Sequence, residues 1–153
     1  MFKRLLGFLR FPLADQLLVI KAWLLLLWFD GLLRLLPYER VQQFAQARSV
    51  RSSPEDPLTA ARRLHALIGI ASKRFFQPMT CLRRSLVLQF LLSRRGIKGE
   101  MQFGAKLEQG TLIAHAWIEL EGQPIGESLS HLNTLARLQK GGLHGRHVWD
   151  RES

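Results

Sequence analysis

The sequence predicts an α+β domain in which apolar helices come first and an antiparallel sheet follows. Apolar residues recur at helical spacing through most of the chain before Gly96. After Gly96 the pattern changes to the alternation of apolar and polar residues that is typical of strands with one buried face. Helices followed by strands indicate an α+β arrangement. The length of 153 residues allows about one domain with a moderate core.

The first long helix is predicted over residues 12–36, with Pro12 near its first turn and Pro37 after its end. It is apolar on nearly all sides, so other groups must cover it. Its longest stretch without a charged residue, 22–29, has eight residues, whereas a helix that spans a bilayer needs ~20. We therefore predict a helix buried in the domain or against a protein partner, with attachment to a membrane surface as the alternative.

A polar segment over residues 48–57 is the one candidate for an internal boundary, because it collects Ser, Pro, Arg and Asp. A short helix is predicted before it, over residues 38–47. The chain therefore divides into an N-terminal helical region with its linker, residues 1–57, and a second domain, residues 58–153.

Two helices are predicted to open the second domain. Helical spacing runs over residues 58–76 and is broken by Pro78. Thr80 is the predicted N-cap of the next helix, which continues to about Arg95. This arrangement puts Cys81 in a first helical turn, where unpaired N–H groups favour a thiolate over a thiol.

Alternating residues predict the strands of the sheet. Residues 101–106 and 112–120 form two strands, and Gln109-Gly110 supplies the turn between them. A weaker strand is predicted over residues 125–129, after a turn at 121–124. The last twenty residues, rich in Gly, His and Arg, fit neither period.

Cys81 and His115 are the candidate catalytic pair. His115 lies opposite the predicted apolar face of its strand, where it is available for chemistry. A lone cysteine at a helix start, with a histidine on a strand and an acid further on, is the layout of papain- and transglutaminase-like nucleophiles. The backbone N–H of Cys81 is a candidate oxyanion donor, and the Gln77 side-chain amide is a second one. The alternatives are an inert buried thiol and a surface histidine.

Glu127 is the predicted acid that orients the imidazole and stabilises its charged form. It follows His115 by twelve residues, on the next predicted strand. Glu119 shares the face of His115 but lies roughly 13 Å along the same strand, too far for a hydrogen bond. Asp150 is the more remote alternative.

Composition narrows the classes of partner. The net charge of +10 predicts attraction to anionic partners. A single cysteine excludes an intramolecular disulfide and favours a reducing compartment such as the cytoplasm. The one short histidine spacing, His144-Gly145-Arg146-His147, is loose, so no metal or other cofactor is expected. A basic binding module for RNA or an anionic membrane is the non-catalytic alternative, although no RNA-binding strand motif is present and nucleic acid is not the expected partner.

Three separate motifs resemble those of the transglutaminase-like proteases of lasso-peptide biosynthesis. That family has a Cys-Leu-x-Arg-Ser run, an Arg-Arg-Gly-Ile helix end and an Ala-His-Ala-Trp-x-Glu strand. The corresponding runs here are Cys81-Leu82-Arg83-Arg84-Ser85, Arg94-Arg95-Gly96-Ile97 and Ala114-His115-Ala116-Trp117-Ile118-Glu119. They occur in the family's order, and the resemblance extends over about residues 58–130.

The resemblance implies a cysteine protease core in which the helix bearing the cysteine packs on an antiparallel sheet. It makes Cys81 the nucleophile and His115 the base, and it puts Glu127 where the family commonly has Asp. The implied reaction is removal of the leader from a ribosomally made precursor, before an ATP-dependent cyclase closes the macrolactam. Residues 1–57 lack a winged-helix-like strand pattern, so the chain resembles the shorter form that works with a separate small leader-recognition protein. Transglutaminase-type acyl transfer to an amine is the alternative reaction. The expected location is the cytoplasm, and association with a membrane is the alternative.

Overall fold

The computed structural model describes residues 12–46, 55–75 and 80–138. Within them, four helices precede a four-stranded antiparallel sheet, and a short fifth helix lies before the last strand. The α+β class is confirmed. The elements are α1 (Leu13–Leu35), α2 (Tyr38–Gln46), α3 (Pro57–Ser72), α4 (Cys81–Ser93), β1 (Glu100–Glu108), β2 (Thr111–Leu120), β3 (Gln123–Pro124), α5 (Leu129–Leu132) and β4 (Ala136–Leu138).

Local chemistry explains where α3 and α4 begin. The Asp56 side chain caps α3 by accepting a hydrogen bond from Thr59 N (2.8 Å), and Pro57 follows at the first helical position. These bonds to Thr59 hold the pKa of Asp56 below its usual range. Thr80 is the N-cap residue of α4, as predicted, but its side chain does not cap the helix. Its hydroxyl instead accepts a bond from Arg83 Nη1 (3.3 Å).

One hydrophobic core joins the helices to the sheet. Helix α4 lies at its centre, since every residue from 85 to 93 is buried. Helix α1 contributes one face, and its other face is exposed. Helices on both sides of residue 57 contribute to this core. The division of the chain into two domains after residue 57 stays a prediction. The fully buried large side chains include Leu26, Phe29, Val41, Leu64, Ile68, Leu86, Leu92, Met101, Ile118 and Ile125.

The sheet has the strand order β3-β2-β1-β4, and β1 and β2 form its long central hairpin. The predicted turn is present: Gln109 and Gly110 have φ angles of 50° and 78°, as a two-residue hairpin turn requires. The register pairs Gly104 with His115 and Met101 with Ile118. Met101 and Ile118 are both buried, so this half of the hairpin packs on the helices.

The weak third strand predicted over residues 125–129 was wrong. Strand β3 is Gln123–Pro124, because Glu121 and Gly122 already form the turn, with φ angles of 49° and 80°. Ile125 N still donates to Ile118 O (2.9 Å), but Gly126, with φ 75°, turns the chain away from the sheet.

The predicted apolar face of β2 is buried only in part. Ala116, Ile118 and Leu120 are buried, whereas Leu112 is 61% exposed. On the opposite face Trp117 packs in a second cluster with Leu132 and Leu135. The chain from α5 to β4 therefore covers the face that the alternation predicted to be open, and neither α5 nor β4 was predicted from the sequence.

Candidate active site

Cys81, His115 and Glu127 line one small pocket between α4, β2 and the loop after β3. Cys81 is the first residue of α4 and is partly buried as a free thiol. The pocket volume is about 20 Å³, which is room for about one water molecule. The structure therefore brings the three sequence-predicted site residues together.

The side chains of His115 and Glu127 approach each other within this pocket. His115 Nε2 lies 3.1 Å from Glu127 Oε1, and the two side chains are 20% and 24% exposed. The atoms are at ion-pair distance but are not aligned as a hydrogen bond. Contact at Nε2 leaves Nδ1 as the ring nitrogen that can exchange a proton with a thiol. A carboxylate at this position stabilises the imidazolium that such an exchange produces.

Glu119 has other partners and does not contact His115 in the described part of the chain. Its buried carboxylate accepts hydrogen bonds from Trp117 Nε1 (2.9 Å) and Arg137 Nη2 (2.9 Å). It therefore ties β2 to β4. The other two residues weighed from the sequence, Gln77 and Asp150, lie outside the described residues.

Two aromatic rings border the His115 imidazole. Trp117 is stacked at 6.0 Å between ring centroids, with an interplanar angle of 19°. His131, on α5, meets the ring edge-on at 5.7 Å and 79°. These contacts restrict the orientation of the imidazole relative to Glu127, since rotation of the ring would disturb both.

Ser85 links the element that carries Cys81 to the strand that carries His115. Its Oγ donates to Ala116 O (3.0 Å), and both residues are buried. Ser85 lies one helical turn after Cys81, and Ala116 follows His115 directly. The bond therefore fixes the start of α4 against the middle of β2, although no sequence argument assigned a role to Ser85.

His65, on α3, is a pocket residue that the sequence argument missed. Its ring packs so closely on Gly126 that a Cβ atom there would lie 2.2 Å from His65 Nε2. Burial, followed by the charge of Arg84, lowers the pKa of His65, and the charge of Glu127 opposes this shift. His65 is therefore neutral near pH 7. Its helical spacing from Ala61 and Ile68 was the available signal, because it predicted a position beside the core face.

The two arginines after Cys81 lie in different surroundings. Arg83 Nε forms an ion pair with Asp30 Oδ1 (2.7 Å), so its charge is balanced by α1. Arg84 lines the pocket, and its buried Nε has no hydrogen-bond partner among the described residues. Arg84 is therefore the cation that favours negative charge in the pocket.

Comparison with protein families agrees with this arrangement. The family model described as the transglutaminase-like superfamily matches residues 23–140, which include α4, β2 and all the pocket residues. The chain belongs to the transglutaminase-like superfamily. That superfamily includes cysteine proteases and acyl transferases, and its chemistry is generally cysteine-based. No curated protein and no solved structure matches the chain.

Proposed function

We propose that this chain is a cysteine peptidase that removes the leader from a lasso-peptide precursor in the cytoplasm before macrolactam closure. The observation that carries the proposal is the convergence of Cys81, His115 and Glu127 on one pocket in a transglutaminase-like fold. Within the superfamily, the resemblance of the three sequence motifs to those of lasso-peptide leader peptidases supports this reaction. The proposed partners are the precursor, a separate small leader-recognition protein and the ATP-dependent cyclase.

The proposed reaction begins when His115 Nδ1 takes the thiol proton and Cys81 Sγ attacks the carbonyl at the leader–core junction. The imidazolium is held by Glu127 at Nε2 and gives its proton to the leaving amine, so that a thioester forms and the peptide bond breaks. His115 then deprotonates a water that attacks the thioester. The C–S bond breaks, the acyl group leaves as a carboxylic acid, and the imidazolium returns its proton to the Cys81 thiolate.

The tetrahedral intermediates of this reaction carry an oxyanion that needs a hydrogen-bond donor. The Cys81 backbone N–H is the proposed donor, because N–H groups in a first helical turn have no intrahelical acceptor. Arg84 adds positive charge to the same pocket. Acyl transfer to an amine would use the same residues and differ only in the acceptor, so product analysis distinguishes the two reactions.

The test combines the purified chain with a synthetic lasso-peptide precursor and a leader-recognition protein, and follows the products by mass spectrometry. We expect release of free leader and core, no cleavage by Cys81→Ala or His115→Ala, and a kcat about 10²–10⁴-fold lower for Glu127→Gln. Glu121→Gln is the matched control. Glu121 is exposed on a neighbouring turn, so this variant should retain full activity. Cleavage by Cys81→Ala would overturn the proposal, and an amine-linked product in place of the free acid would assign the chain to the acyl transferases.

A further inference from the structure

Helix α1 exposes a continuous apolar stripe along its outer face. The helix has 23 residues, which makes it about 33 Å long. Its length and composition meet the criteria for a membrane-crossing helix, and 22% of its most apolar window is buried. We call the exposed face the apolar stripe; it consists of Leu13, Leu17, Ile20, Leu24, Leu27, Trp28 and Leu35, which are 42–82% exposed.

The opposite face of α1 fixes how the helix can meet a partner. Ala22, Leu26 and Phe29 are at most 1% exposed and belong to the main core. A helix that spans a bilayer is surrounded by lipid or by other spanning segments, and α1 cannot be surrounded in this way while its inner face packs on α3 and α4. Only the apolar stripe is therefore free to contact a partner, and α1 would lie along the surface of that partner rather than cross it.

The acidic groups of α1 are engaged inside the protein. Arg63 Nε donates to Asp15 Oδ1 (3.0 Å). Asp30 is 8% exposed and forms ion pairs with Arg83 and Arg34. Neither carboxylate lies on the apolar stripe, so no acidic side chain of α1 is presented to an approaching partner.

Within α1 itself, the accessible charges beside the apolar stripe are positive. Lys21 and Arg34 are exposed and flank it on the two sides of the helix. In sequence, Lys3, Arg4 and Arg10 precede the helix, with no acidic residue before Asp15. An apolar face bordered by cations is complementary to an anionic lipid surface, because apolar side chains can pack among the acyl chains while the cations pair with the phosphate groups.

The exposed Trp28 favours lipid as the occupant of the apolar stripe, since indole rings are enriched at the boundary between acyl chains and headgroups.

We propose that α1 attaches the protein to the surface of an anionic membrane, with the apolar stripe among the acyl chains and Lys21 and Arg34 at the phosphates. The open groove beside Leu24 and Trp28, about 580 Å³ in volume and lined by apolar residues together with Lys21, gives acyl chains room against the helix. The proposal concerns where the protein resides and is independent of the peptidase chemistry.

The test is co-sedimentation of the full chain with phosphatidylcholine vesicles that contain or lack phosphatidylglycerol. We expect binding to the anionic vesicles that weakens as salt rises. Leu24→Glu should lower the partition coefficient by roughly tenfold or more, because it carries a charge into the apolar layer. Leu107→Glu is the matched control. Leu107 is 67% exposed on the central hairpin, away from α1, so this variant should bind vesicles as the parent does.

A second measurement locates the contact and checks folding. Brominated lipid should quench the Trp28 fluorescence, and Trp28→Phe should remove that quenching. Circular dichroism should show Leu24→Glu folded, because the side chain is 54% exposed. Failure of the folded parent to bind anionic vesicles would overturn the proposal. A parent that is dimeric in light scattering, and that Leu24→Glu makes monomeric without any lipid binding, would overturn it in favour of a second copy.

Discussion

The hydrogen bond from Ser85 to Ala116 is the most direct structural link between the two halves of the candidate site. Ser85 Oγ donates to Ala116 O at 3.0 Å. Ala116 O lies on the edge of β2 that faces β3, as does Ile118 O, because carbonyls two residues apart in a strand point the same way. Ile118 O has a backbone partner in Ile125 N, whereas β3 does not extend to Ala116. The Ser85 hydroxyl therefore replaces a missing ladder bond, and Ser85→Ala removes it.

The expected cost follows from these surroundings. A net hydrogen bond is worth about 1 kcal/mol, and a buried carbonyl left without a donor costs about 1–3 kcal/mol. The pocket beside Ser85 and Ala116 holds about 20 Å³, enough for one water that restores part of the loss. We therefore expect Ser85→Ala to lower the free energy of unfolding by about 1–2 kcal/mol, which corresponds to a fall in Tm of roughly 2–8 °C.

Ser93→Ala is the matched control for this change. Ser93 is buried near the other end of α4, where its Oγ lies 2.9 Å from both Ala45 O and Phe90 O and shares its single proton between these two acceptors. It also borders a pocket that can admit water, so the stability loss should again be about 1–2 kcal/mol. The two variants differ in position, since only Ser85 lies beside Cys81 and His115.

The assay pairs urea unfolding with the rate of Cys81 alkylation as a function of pH. We expect Ser85→Ala to lower the alkylation rate at pH 7 several-fold, because Cys81 loses its fixed position beside His115, and Ser93→Ala to leave that rate unchanged. His115→Ala supplies the reference for a thiol without its base. Parent-like alkylation and parent-like stability in Ser85→Ala would refute the argument, and equal slowing in both serine variants would show that reactivity follows global stability.

Three other changes test separate parts of the structure. Because burial lowers the pKa of His65 from its ordinary 6.5, the unfolded chain binds more protons, so stability should fall as pH drops below about 6.5, and His65→Gln should flatten that part of the stability curve. Burial raises the pKa of Tyr38 to about 12, and its hydroxyl has no hydrogen-bond partner among the described residues, so Tyr38→Phe should retain stability at pH 7 and abolish the tyrosine's share of the stability loss above pH 10. Arg137→Met should lower the free energy of unfolding by about 1–3 kcal/mol in urea unfolding, between the values for exposed and buried pairs, because Glu119 is buried and Arg137 is 58% exposed.

Features that depend on neighbours in sequence were predictable. Pro78 and Thr80 predicted a helix start at Cys81, and Gln109-Gly110 predicted the hairpin turn, because helix caps and tight turns depend mainly on local backbone preferences. Sequence also predicted that the acid at residue 127 lies near His115. The strand predicted to carry this acid is not formed, because β3 ends at Pro124. Spacing along the chain was sufficient to place Glu127 near the histidine without the correct local structure.

Features that depend on tertiary packing were not predictable in this way. The alternation along β2 indicated one open face, but Trp117 and Glu119 are buried because the chain from α5 to β4 folds over them. His65 was missed for a similar reason. Its role as a pocket residue requires Gly126 to turn the chain against the imidazole, and that contact joins residues 61 positions apart.

The helix that we propose to lie on a membrane is also connected to the start of α4. Asp30 on α1 pairs with Arg83 Nε at 2.7 Å, and Arg83 Nη1 donates to the Thr80 hydroxyl directly before Cys81. The inner face of α1 thus helps to hold the turn from which the thiol projects, while the apolar stripe on its outer face takes no part in that contact. Because the two faces are distinct, Leu24→Glu should remove the proposed membrane attachment without disturbing Asp30. We therefore expect membrane binding and thiol reactivity to respond to different substitutions in the same helix.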